Sequence, residues 1–424
     1  MRCIAVSCAL QAYDVHVHDA SRHLVRVLLA VYACVPDRGT EPGFGWNWAH
    51  HLAAAGVQVT ALTRMENRPE IWRHQSTNNW PTGLTFEFVD SGLKHLRPAT
   101  MSHYAVWQYR AFLRARELDY ANDYDLVHHA TYGSLQSPSW LWRLEKPFIL
   151  GPVGGGQVAH SAFRSQFRNA WRKERLREAL VRMAVFSPLH RAIAKRTCLL
   201  LATNQETLWM ARRMGFQNIE MFLDSGLPAE YYAKQVSRRT LSSHARLLWV
   251  GRLLPRKGVQ LALDALAATS NPVELTILGD GPLGSEMQQW ITERRLQNRV
   301  NWFGEVTWDK VRQAYQSHDG FLFTSLRDSF GSQLLEAMSQ GLPVITLDHQ
   351  GSRDFVPYNA GIKVPVADLE GTTNGLAGAL DAFANLSTSN RAKMGHIGFS
   401  FAKQHSWQQK AATMISLYDR VLHK

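Results

Sequence analysis

Hydrophobic and polar residues follow a pattern typical of parallel β-strands that alternate with helices. In the N-terminal half, strands are predicted at 24–35, 57–63, 84–90, 124–134, 146–157 and 197–204. The first of these is almost continuously apolar, as expected for a strand buried on both faces of a parallel sheet. Residues 46–55 and 101–117 are predicted to be helices between these strands.

The C-terminal half repeats this pattern after a polar segment without periodicity. Strands are predicted at 246–250, 273–282, 300–306, 320–326 and 344–348, and a final helix with one apolar side at 406–424. Each strand precedes a helix or a tight turn, which predicts a second parallel sheet with flanking helices. The polar segment at 221–245 is therefore interpreted as a linker between two domains.

The segment at 324–345 carries the main candidate chemistry. Its pattern predicts a strand end, a glycine-containing loop and an amphipathic helix with Leu334 and Met338 on one face. Glu336 projects almost opposite them, and Asp328 precedes the helix. Glu336 can accept both hydroxyls of a ribose and Asp328 those of a sugar, while the helix start favours a diphosphate. Alternatively, Asp328 is an acid near the N-cap and Glu336 a solvated helix residue.

Two glycine-containing segments in the N-terminal half are candidate ligand contacts. Gly39, Gly43 and Gly45 follow the first predicted strand, and four glycines lie within 151–156. Glycine allows a backbone to pass close to a ligand. The spacing in the first segment differs from the dinucleotide fingerprint, so NAD binding is disfavoured.

His128 and His129 lie at the end of a predicted strand, where parallel sheets place ligand-facing residues. Alternation along the strand puts the two side chains on opposite faces and leaves open which one faces the crevice. The alternative is that one or both only pack or bond to the backbone.

Length, charge and cysteine content narrow the class of protein. A chain of 424 residues suggests two or three domains. The net charge of +12 favours an acidic partner such as a phosphate-rich substrate, an anionic membrane or a nucleic acid. The four cysteines show no metal or redox spacing and favour a reduced cytosolic protein.

The most basic segment, residues 160–196, has ten Arg and Lys against two Glu. Phe163, Phe167 and Trp171 recur at i, i+4 and i+8, with Arg164, Arg168 and Arg172 beside them. An amphipathic helix with an aromatic edge and a cationic flank suits a membrane interface. The alternative is a solvated basic helix that packs on its own domain through the same aromatics. No nucleic-acid-binding motif accompanies the charge.

Several motifs taken together resemble the family 4 glycosyltransferases. They are GTEPGFGW, GRLLPRKG, GDGP, WFGEV and DSFGSQLLEAMSQGLPVI, and the resemblance covers about residues 25–424. The HHATYG strand end and GPVGGG are similar to a bacterial subgroup that builds surface polysaccharides. The resemblance implies an α/β protein of GT-B fold, in which two Rossmann-like domains face across a cleft. It also implies that the C-terminal helix crosses back to the N-terminal domain.

The predicted domain limits follow from these patterns and from the resemblance. They are an N-terminal extension at 1–24, an acceptor-side domain at 25–225, a linker at 226–243, a nucleotide-sugar domain at 244–400 and the C-terminal helix at 401–424.

The resemblance implies catalytic roles for four residues. Arg252 and Lys257 would hold the donor diphosphate and neutralise its charge as it leaves, which agrees with the value of cations where charge develops. Asp328 matches the first acid of the family's paired-glutamate motif, but its side chain is one methylene shorter. His128 would lie near the reacting sugar, with His129 as the second choice.

The resemblance also implies the donor-binding residues. Glu336 would bind the ribose, and Phe303–Val306 would border the nucleobase. Within that range the donor contacts would be Gly304 and Val306. The further donor contacts would be Gly43, Gly45, Phe330, Gly331, Ser332 and Gln333. No metal or other cofactor is expected, since Arg252, Lys257 and a helix start supply the positive charge.

These expectations describe a retaining glycosyltransferase that moves a sugar from a nucleotide-sugar donor to a hydroxyl of a saccharide acceptor, expected to be lipid-linked, in cell-surface polysaccharide biosynthesis. The enzyme would lie at the cytosolic face of the inner membrane as a peripheral protein, docked through residues 160–196, without nucleic acid. The alternatives are a nucleotide-sugar epimerase or phosphorylase of similar architecture, and a non-catalytic protein that binds membranes.

Overall fold

The computed structural model describes residues 24–77, 80–92, 97–98, 100–137, 139–234 and 244–423. The predicted extension therefore lies outside the described residues except for Leu24, and so does the second half of the predicted linker, residues 235–243.

The first sheet is entirely parallel in the described residues. Its strands are β1 (Arg26–Ala30), β2 (Gln58–Arg64), β3 (Leu84–Val89), β4 (Leu126–His129), β5 (Phe148–Val153), β6 (Thr197–Ala202) and β7 (Ile219–Met221). They lie in the order β3-β2-β1-β4-β5-β6-β7. The order reverses between β1 and β4, so a crevice opens at the carboxyl ends of these strands.

Helices flank this sheet on both faces. They are α1 (Thr40–Ala54), α2 (Arg68–Thr77), α3 (Met101–Asn122), α5 (Trp171–Ala184), α6 (Pro188–Arg196) and α7 (Gln205–Met214). The short helix α4 (Arg164–Phe167) precedes α5 but packs with residues of the second domain. The predicted start of the first helix at residue 46 is wrong, because α1 already begins at Thr40. Pro42 does not prevent this start, since proline is tolerated in the first turn of a helix.

The second sheet has the Rossmann strand order. Its described strands are β8 (Ala245–Val250), β9 (Val273–Leu278), β10 (Val300–Trp302), β11 (Gly320–Phe323), β12 (Val344–Leu347) and β13 (Gly361–Val364), in the order β10-β9-β8-β11-β12-β13. The associated helices are α8 (Val259–Ala267), α9 (Gly284–Glu293), α10 (Trp308–Ser317), α11 (Ser332–Ser339), α12 (Gln350–Phe355), α13 (Leu369–Ala384) and α14 (Thr388–Lys403). The prediction of two parallel α/β domains is confirmed. The predicted limits at residues 225, 244 and 400 stay predictions.

The C-terminal helix α15 (Trp407–Leu422) packs on the first domain, as predicted. Its apolar side belongs to one hydrophobic cluster with α1 and β1, in which Trp407 and Tyr418 are buried. The Trp407 ring meets the edge of Trp48 with ring centroids 5.4 Å apart. Each large side chain buried here stabilises the crossing by about 1.5–3 kcal/mol.

The basic segment does not form the single helix that its periodicity predicts. The chain turns at Arg168, whose φ is +50°, and this turn separates α4 from α5. Phe163 and Phe167 are buried in a hydrophobic cluster with residues of the second domain, such as Leu263. The prediction of an exposed aromatic edge is therefore wrong, because these aromatics join the two domains.

Polar contacts also connect the domains. Glu174 of α5 accepts two hydrogen bonds from Arg327, at 2.7 and 2.9 Å. Arg353 pairs with Glu206 at 2.9 Å. Among the described residues, none of the helices is long and apolar enough to span a membrane.

Candidate functional site

The carboxyl ends of β8–β11 bring the predicted donor residues to one edge of the second sheet. Arg252 and Lys257 follow β8, Gly304 and Val306 follow β10, and Asp328 follows β11. Ligands bind outside the carboxyl ends of strands in open α/β sheets. The sequence motifs that are far apart in the chain thus share one cleft wall.

Lys257 and Asp328 form the charged centre of this wall. Lys257 Nζ donates a hydrogen bond to Asp328 Oδ2, and Arg256 lies 3.3 Å from the same oxygen. Burial alone would raise the pKa of the Asp328 carboxyl, but these two cations and the Ser325 hydroxyl outweigh it and lower that pKa. Asp328 is therefore ionised, and it holds the lysine in place.

Glu336 lies on α11, opposite the buried Leu334 and Met338 as predicted. Its Oε2 accepts a hydrogen bond from the Tyr315 hydroxyl at 3.1 Å. Burial raises the pKa of the Glu336 carboxyl, while hydrogen bonds from Tyr315 and Ser332 and the charge of Lys257 oppose the rise. The ammonium group of Lys257 thus lies close enough to Asp328 and Glu336 to influence the pKa of both carboxyls.

The start of α11 offers further polar groups. Gly331 is the N-cap residue with φ of +93°, and Ser332 begins the helix. Gln333 Oε1 is buried and has no hydrogen-bond partner in the described part of the chain. Phe330 is buried and packs edge-on against Phe355, so only its backbone is available to a ligand.

The other predicted donor residues lie on the rim of this wall. Gly304 has φ of +68° and its carbonyl accepts a hydrogen bond from Gly279 N at 2.7 Å. Val306 is partly buried against the core, whereas Phe303 is 64% exposed. The Arg252 side chain is exposed and makes no hydrogen bond or ion pair with the described residues.

The structure corrects the prediction of a cleft-facing His128 or His129. The His128 ring is buried, with Nε2 2.6 Å from the Gly151 carbonyl and Nδ1 2.7 Å from the Tyr418 hydroxyl. A carbonyl can only accept, so Nε2 carries the proton and Nδ1 accepts from Tyr418.

His129 is equally enclosed. Nδ1 lies 2.9 Å from the Ser139 hydroxyl and Nε2 lies 3.1 Å from the Thr131 carbonyl. Burial lowers the pKa of each histidine to about 4. Both rings are therefore neutral structural groups, which was the alternative that the sequence left open.

Gly43 and Gly45 do not form a loop beneath the donor as predicted. Both lie in α1, and their missing side chains let this helix approach the loop after β1. A Cβ at Gly43 would lie 1.7 Å from the Arg38 carbonyl, and one at Gly45 would lie 1.9 Å from the Ala33 carbonyl. Both glycines thus allow close packing within the first domain, and their contact with the donor stays a prediction.

A cavity of about 290 Å³ lies where the two domains meet. It is lined mainly by residues after β1, β4, β5 and β7, and Ser329 of the second domain completes it. Sequence reasoning missed two acids in its wall, Glu41 and Asp224. Glu41 stands inside the GTEPGFGW motif, so its position in the motif was the available signal.

These two acids occupy different environments. Desolvation by the cavity walls raises the pKa of the Glu41 carboxyl to about 7, although hydrogen bonds from the backbone of Tyr132 and Gly133 oppose the rise. Burial also raises the pKa of the Asp224 carboxyl, and Ser225, Lys410 and Ser329 oppose that rise. Ser329 Oγ donates to Asp224 Oδ2 at 3.4 Å across the domain boundary.

No group of three or more His, Cys, Asp or Glu side chains that could hold a metal ion occurs among the described residues. The cationic side chains near Asp328 include Lys257 and Arg256.

Comparison with known proteins defines the class. Residues 237–395 match the family described as "Glycosyl transferases group 1". This region holds the second sheet and the residues assigned to the donor, so the chain carries a group 1 glycosyltransferase domain.

The curated relatives are also sugar-transferring enzymes. Over 178 residues, 30% are identical to the GPI3 subunit of phosphatidylinositol N-acetylglucosaminyltransferase from Saccharomyces cerevisiae, covering 41% of this chain and 38% of that one. Over 117 residues, 37% are identical to lipopolysaccharide 1,6-galactosyltransferase from Salmonella typhimurium, covering 26% and 33%. Over 197 residues, 32% are identical to GDP-mannose-dependent alpha-mannosyltransferase from Mycobacterium tuberculosis, covering 44% and 48%. The matched region is thus less than half of each relative.

Solved structures support the fold over nearly the whole chain. Sucrose-phosphate synthase from Thermosynechococcus elongatus superposes with a TM-score of 0.68 at 17% identity, covering 94% of this chain and 99% of that one. Anabaena HepE in complex with UDP and glucose superposes with a TM-score of 0.60 at 17% identity, covering 92% and 99%. At this identity the likeness concerns the fold alone. The family match and the relatives together support a glycosyltransferase domain, as the sequence predicts.

Proposed function

We propose that this protein is a retaining glycosyltransferase that moves a sugar from a nucleotide-sugar donor to a hydroxyl of a saccharide acceptor. The observation that carries the proposal is the cluster of Lys257, Asp328 and Glu336 at the strand ends of a group 1 glycosyltransferase domain. A relative named for its GDP-mannose dependence supports a nucleotide-sugar donor.

The donor would bridge this cluster. Its diphosphate takes the charge of Lys257 and Arg252, and it also meets the backbone N–H groups at the start of α11. Glu336 accepts the ribose hydroxyls, and the unpartnered Gln333 Oε1 is a further acceptor beside them. Asp328 then accepts hydroxyls of the transferred sugar, while Arg256 keeps its carboxylate ionised.

For the reaction we propose the same-face mechanism that the family resemblance implies. The bond from C1 of the sugar to the diphosphate oxygen breaks, and the acceptor oxygen forms its bond to C1 on the same face. The acceptor proton passes to the departing phosphate oxygen, which leaves as part of a nucleoside diphosphate. Lys257 and Arg252 stabilise the charge that develops on this leaving group, so no metal is required.

We further propose that the acceptor is lipid-linked and belongs to cell-surface polysaccharide synthesis. Relatives named for lipopolysaccharide and phosphatidylinositol substrates support this assignment. A lipid-linked acceptor requires the enzyme to sit at a membrane, and we place it at the cytosolic face as a peripheral protein.

The membrane-facing surface would be the outer side of α5 and α6, not the aromatic edge that the sequence predicts. We call it the α5–α6 surface; its large exposed apolar residues are Leu176, Leu180, Met183, Phe186 and Leu189. Leu176, Leu180 and Met183 recur at helical spacing along one face of α5. Contiguous exposed apolar side chains of this size mark interaction sites.

The charges around the α5–α6 surface favour anionic lipid as its partner. The exposed cations within and beside it are Arg172, Lys173, Arg175, Arg182, Arg191, Lys195 and Arg196. Arg175 and Arg182 both pair with Glu178, which leaves the remaining cations in excess. An apolar face with a cationic border binds anionic bilayers in two ways: its apolar side chains are buried in the bilayer, and its cations are attracted to the anionic lipid headgroups.

The test uses purified full-length protein. Its melting temperature is measured with UDP, GDP and ADP, and the best nucleotide then selects the sugar donors for a transfer assay with lipid-linked saccharide acceptors. We expect one nucleotide to stabilise the protein, and the product to keep the anomeric configuration of the donor by NMR. Absence of stabilisation by every nucleotide would overturn the proposal. Release of an altered sugar without an acceptor would instead identify an epimerase.

A further inference from the structure

The cavity between the domains is distinct from the donor cluster but adjoins it. Ser329, which completes the cavity, directly follows Asp328, whose carboxylate we assign to the transferred sugar. The remaining walls come from the strand ends of the first domain, where an open α/β sheet binds ligands. Its volume of about 290 Å³ is at the lower end for ligand pockets, so it suits a small unit rather than an extended ligand.

The cavity combines an aromatic wall with polar groups. Phe44 and Trp48 of α1 form the apolar part, and Ser134, Gln136 and Thr131 from the loop after β4 form part of the polar wall. A ligand with apolar ring faces and many hydroxyls matches such walls, since each polar group must find a partner.

The only cation that lines the cavity within the described residues is already engaged. Arg177 Nη1 donates to the Gln157 carbonyl at 2.8 Å and Nη2 donates to the Gly155 carbonyl at 3.3 Å. Its guanidinium therefore organises the loop after β5. The acids that line the cavity are Glu41 and Asp224, so the wall presents acceptors to a ligand rather than positive charge.

Both acids are held in position by the protein. Glu41 Oε1 accepts a hydrogen bond from Tyr132 N at 2.5 Å, which fixes the carboxyl at the mouth of the loop after β4. Asp224 accepts from Ser225 at 3.0 Å and from Ser329 at 3.4 Å. A carboxylate can accept about four hydrogen bonds, so each acid retains capacity for ligand hydroxyls.

We infer that this cavity binds one neutral sugar ring of the acceptor, with Glu41 and Asp224 as hydrogen-bond acceptors for its hydroxyls. This inference rests on the proposed function. At a pH above the Glu41 pKa of about 7, the carboxylate of Glu41 repels a carboxylate or phosphate on the same ring, so the cavity then selects neutral rings over anionic ones. Asp224 contacts the loop that carries Asp328, which places a hydroxyl bound by Asp224 beside the sugar to be transferred.

The experiment measures binding of simple glycosides to the full-length protein. At a pH well above 7, where Glu41 is ionised, saturation-transfer NMR is recorded with the methyl α-glycosides of glucose, galactose and mannose, and with the methyl glycosides of glucuronic and galacturonic acid. The protein is saturated with whichever of UDP, GDP or ADP stabilises it. We expect binding of at least one neutral glycoside, and at least ~10-fold weaker binding of the uronic acids, as for one unfavourable charge contact.

Variants assign the selectivity to the two acids. E41A and D224A are expected to weaken the neutral glycoside by ~10-fold or more. E41Q removes the charge but keeps an acceptor, so it should narrow the preference for neutral over anionic rings. E117Q, on an exposed acid of α3, is the matched control. It should change neither the affinity for the neutral glycoside nor the preference for neutral over anionic rings.

The outcomes separate this inference from the proposed function. If no nucleotide stabilises the wild-type protein, the proposed function fails. If a nucleotide binds but no neutral glycoside does, or if uronic acids bind equally well, the inference is overturned. It is also overturned if E41A and D224A bind the glycoside like the wild type while their nucleotide-induced stabilisation is intact. Should either alanine variant fail to fold, the selectivity of E41Q decides.

Discussion

Lys257 and Asp328 contact one another directly at the strand ends of the second domain. Lys257 Nζ donates to Asp328 Oδ2, and both side chains are largely buried. The cation that we assign to the leaving diphosphate and the acid that we assign to the transferred sugar are thus already partners. A donor that binds here must divide the lysine's hydrogen bonds between a carboxylate and a phosphate, which an ammonium with three donors can do.

The first prediction concerns Lys257. Replacing it with alanine should lower the rate of sugar transfer by ~10²–10³-fold. The change removes an ammonium group that donates hydrogen bonds where negative charge develops on the leaving diphosphate. The rate is measured with saturating donor and acceptor. K310A, on an exposed lysine of α10, serves as the control and should transfer at the wild-type rate. Wild-type turnover in K257A would exclude this lysine from the mechanism.

The second prediction concerns Glu336. E336A should weaken the binding of the nucleoside diphosphate by ~10-fold or more, since hydrogen bonds to a charged group contribute about 1.5–3 kcal/mol. Isothermal titration calorimetry measures the affinity of the wild type and the variant. E293A, at the exposed end of α9, is the control. Equal affinities of E336A and wild type would contradict the assignment of this carboxyl to the ribose.

The residues of the second domain could be placed from the sequence because they belong to one local segment. Helical periodicity fixed Leu334 and Met338 on the face opposite Glu336, and the structure agrees. Asp328 precedes the same helix, so its position relative to Glu336 follows from the chain itself. The local periodicity of this segment was therefore enough to predict how Asp328 and Glu336 lie relative to the helix.

Contacts between segments that are distant in the chain could not be predicted from the local sequence patterns. Alternation shows that His128 and His129 point to opposite faces, but not that Tyr418, 290 residues away, covers one of them. Glycine spacing does not reveal whether a ligand or the chain's own backbone fills the space, and at Gly43 it is backbone. The contact of Asp224 with Ser329, 105 residues away, is likewise not evident from local patterns in the sequence.

The third prediction is a pH dependence that depends on Lys410. This residue of α15 is buried, its Nζ donates to the Leu223 carbonyl, and it lies 4.3 Å from the centroid of the Phe222 ring. Burial lowers the pKa of Lys410 from 10.5 to about 7, and Asp224 partly opposes this shift. Between these two pH values the unfolded chain binds more protons than the folded one, so stability rises with pH in this window.

The measurement is urea unfolding at pH 7, 8 and 9. K410M should lose this part of the pH dependence. The unfolding free energy of the wild type minus that of K410M should therefore increase from pH 7 to pH 9. K393M, on an exposed lysine of α14, should follow the wild type at every pH. Parallel pH profiles of wild type and K410M would show that Lys410 is charged in the folded state throughout.

The fourth prediction concerns the contact between the domains. Arg327 and Glu174 form two hydrogen bonds across the boundary, and each side chain is less than one-fifth exposed. R327E should destabilise the protein because two acids then face each other, while the exchanged pair E174R/R327E should recover part of the loss. A double-mutant cycle on unfolding free energies should give a coupling of about 0.5–3 kcal/mol. Strictly additive effects would show that this contact does not hold the domains together.

The last prediction tests which part of the basic segment binds lipid, the α5–α6 surface or the residues before α5. If the α5–α6 surface binds lipid, L176E/L180E/M183E should abolish sedimentation with vesicles that contain phosphatidylglycerol, because each change replaces an exposed apolar side chain with a negative charge. R164A/R168A alters cations that precede α5, and Arg168 is paired with Glu286 of the second domain, so it should sediment like the wild type. Because the three apolar residues are exposed, the triple variant should fold and keep its nucleotide-induced rise in melting temperature. Undiminished sedimentation of the triple variant would place the membrane contact elsewhere, and loss of sedimentation in R164A/R168A alone would return it to the segment before α5.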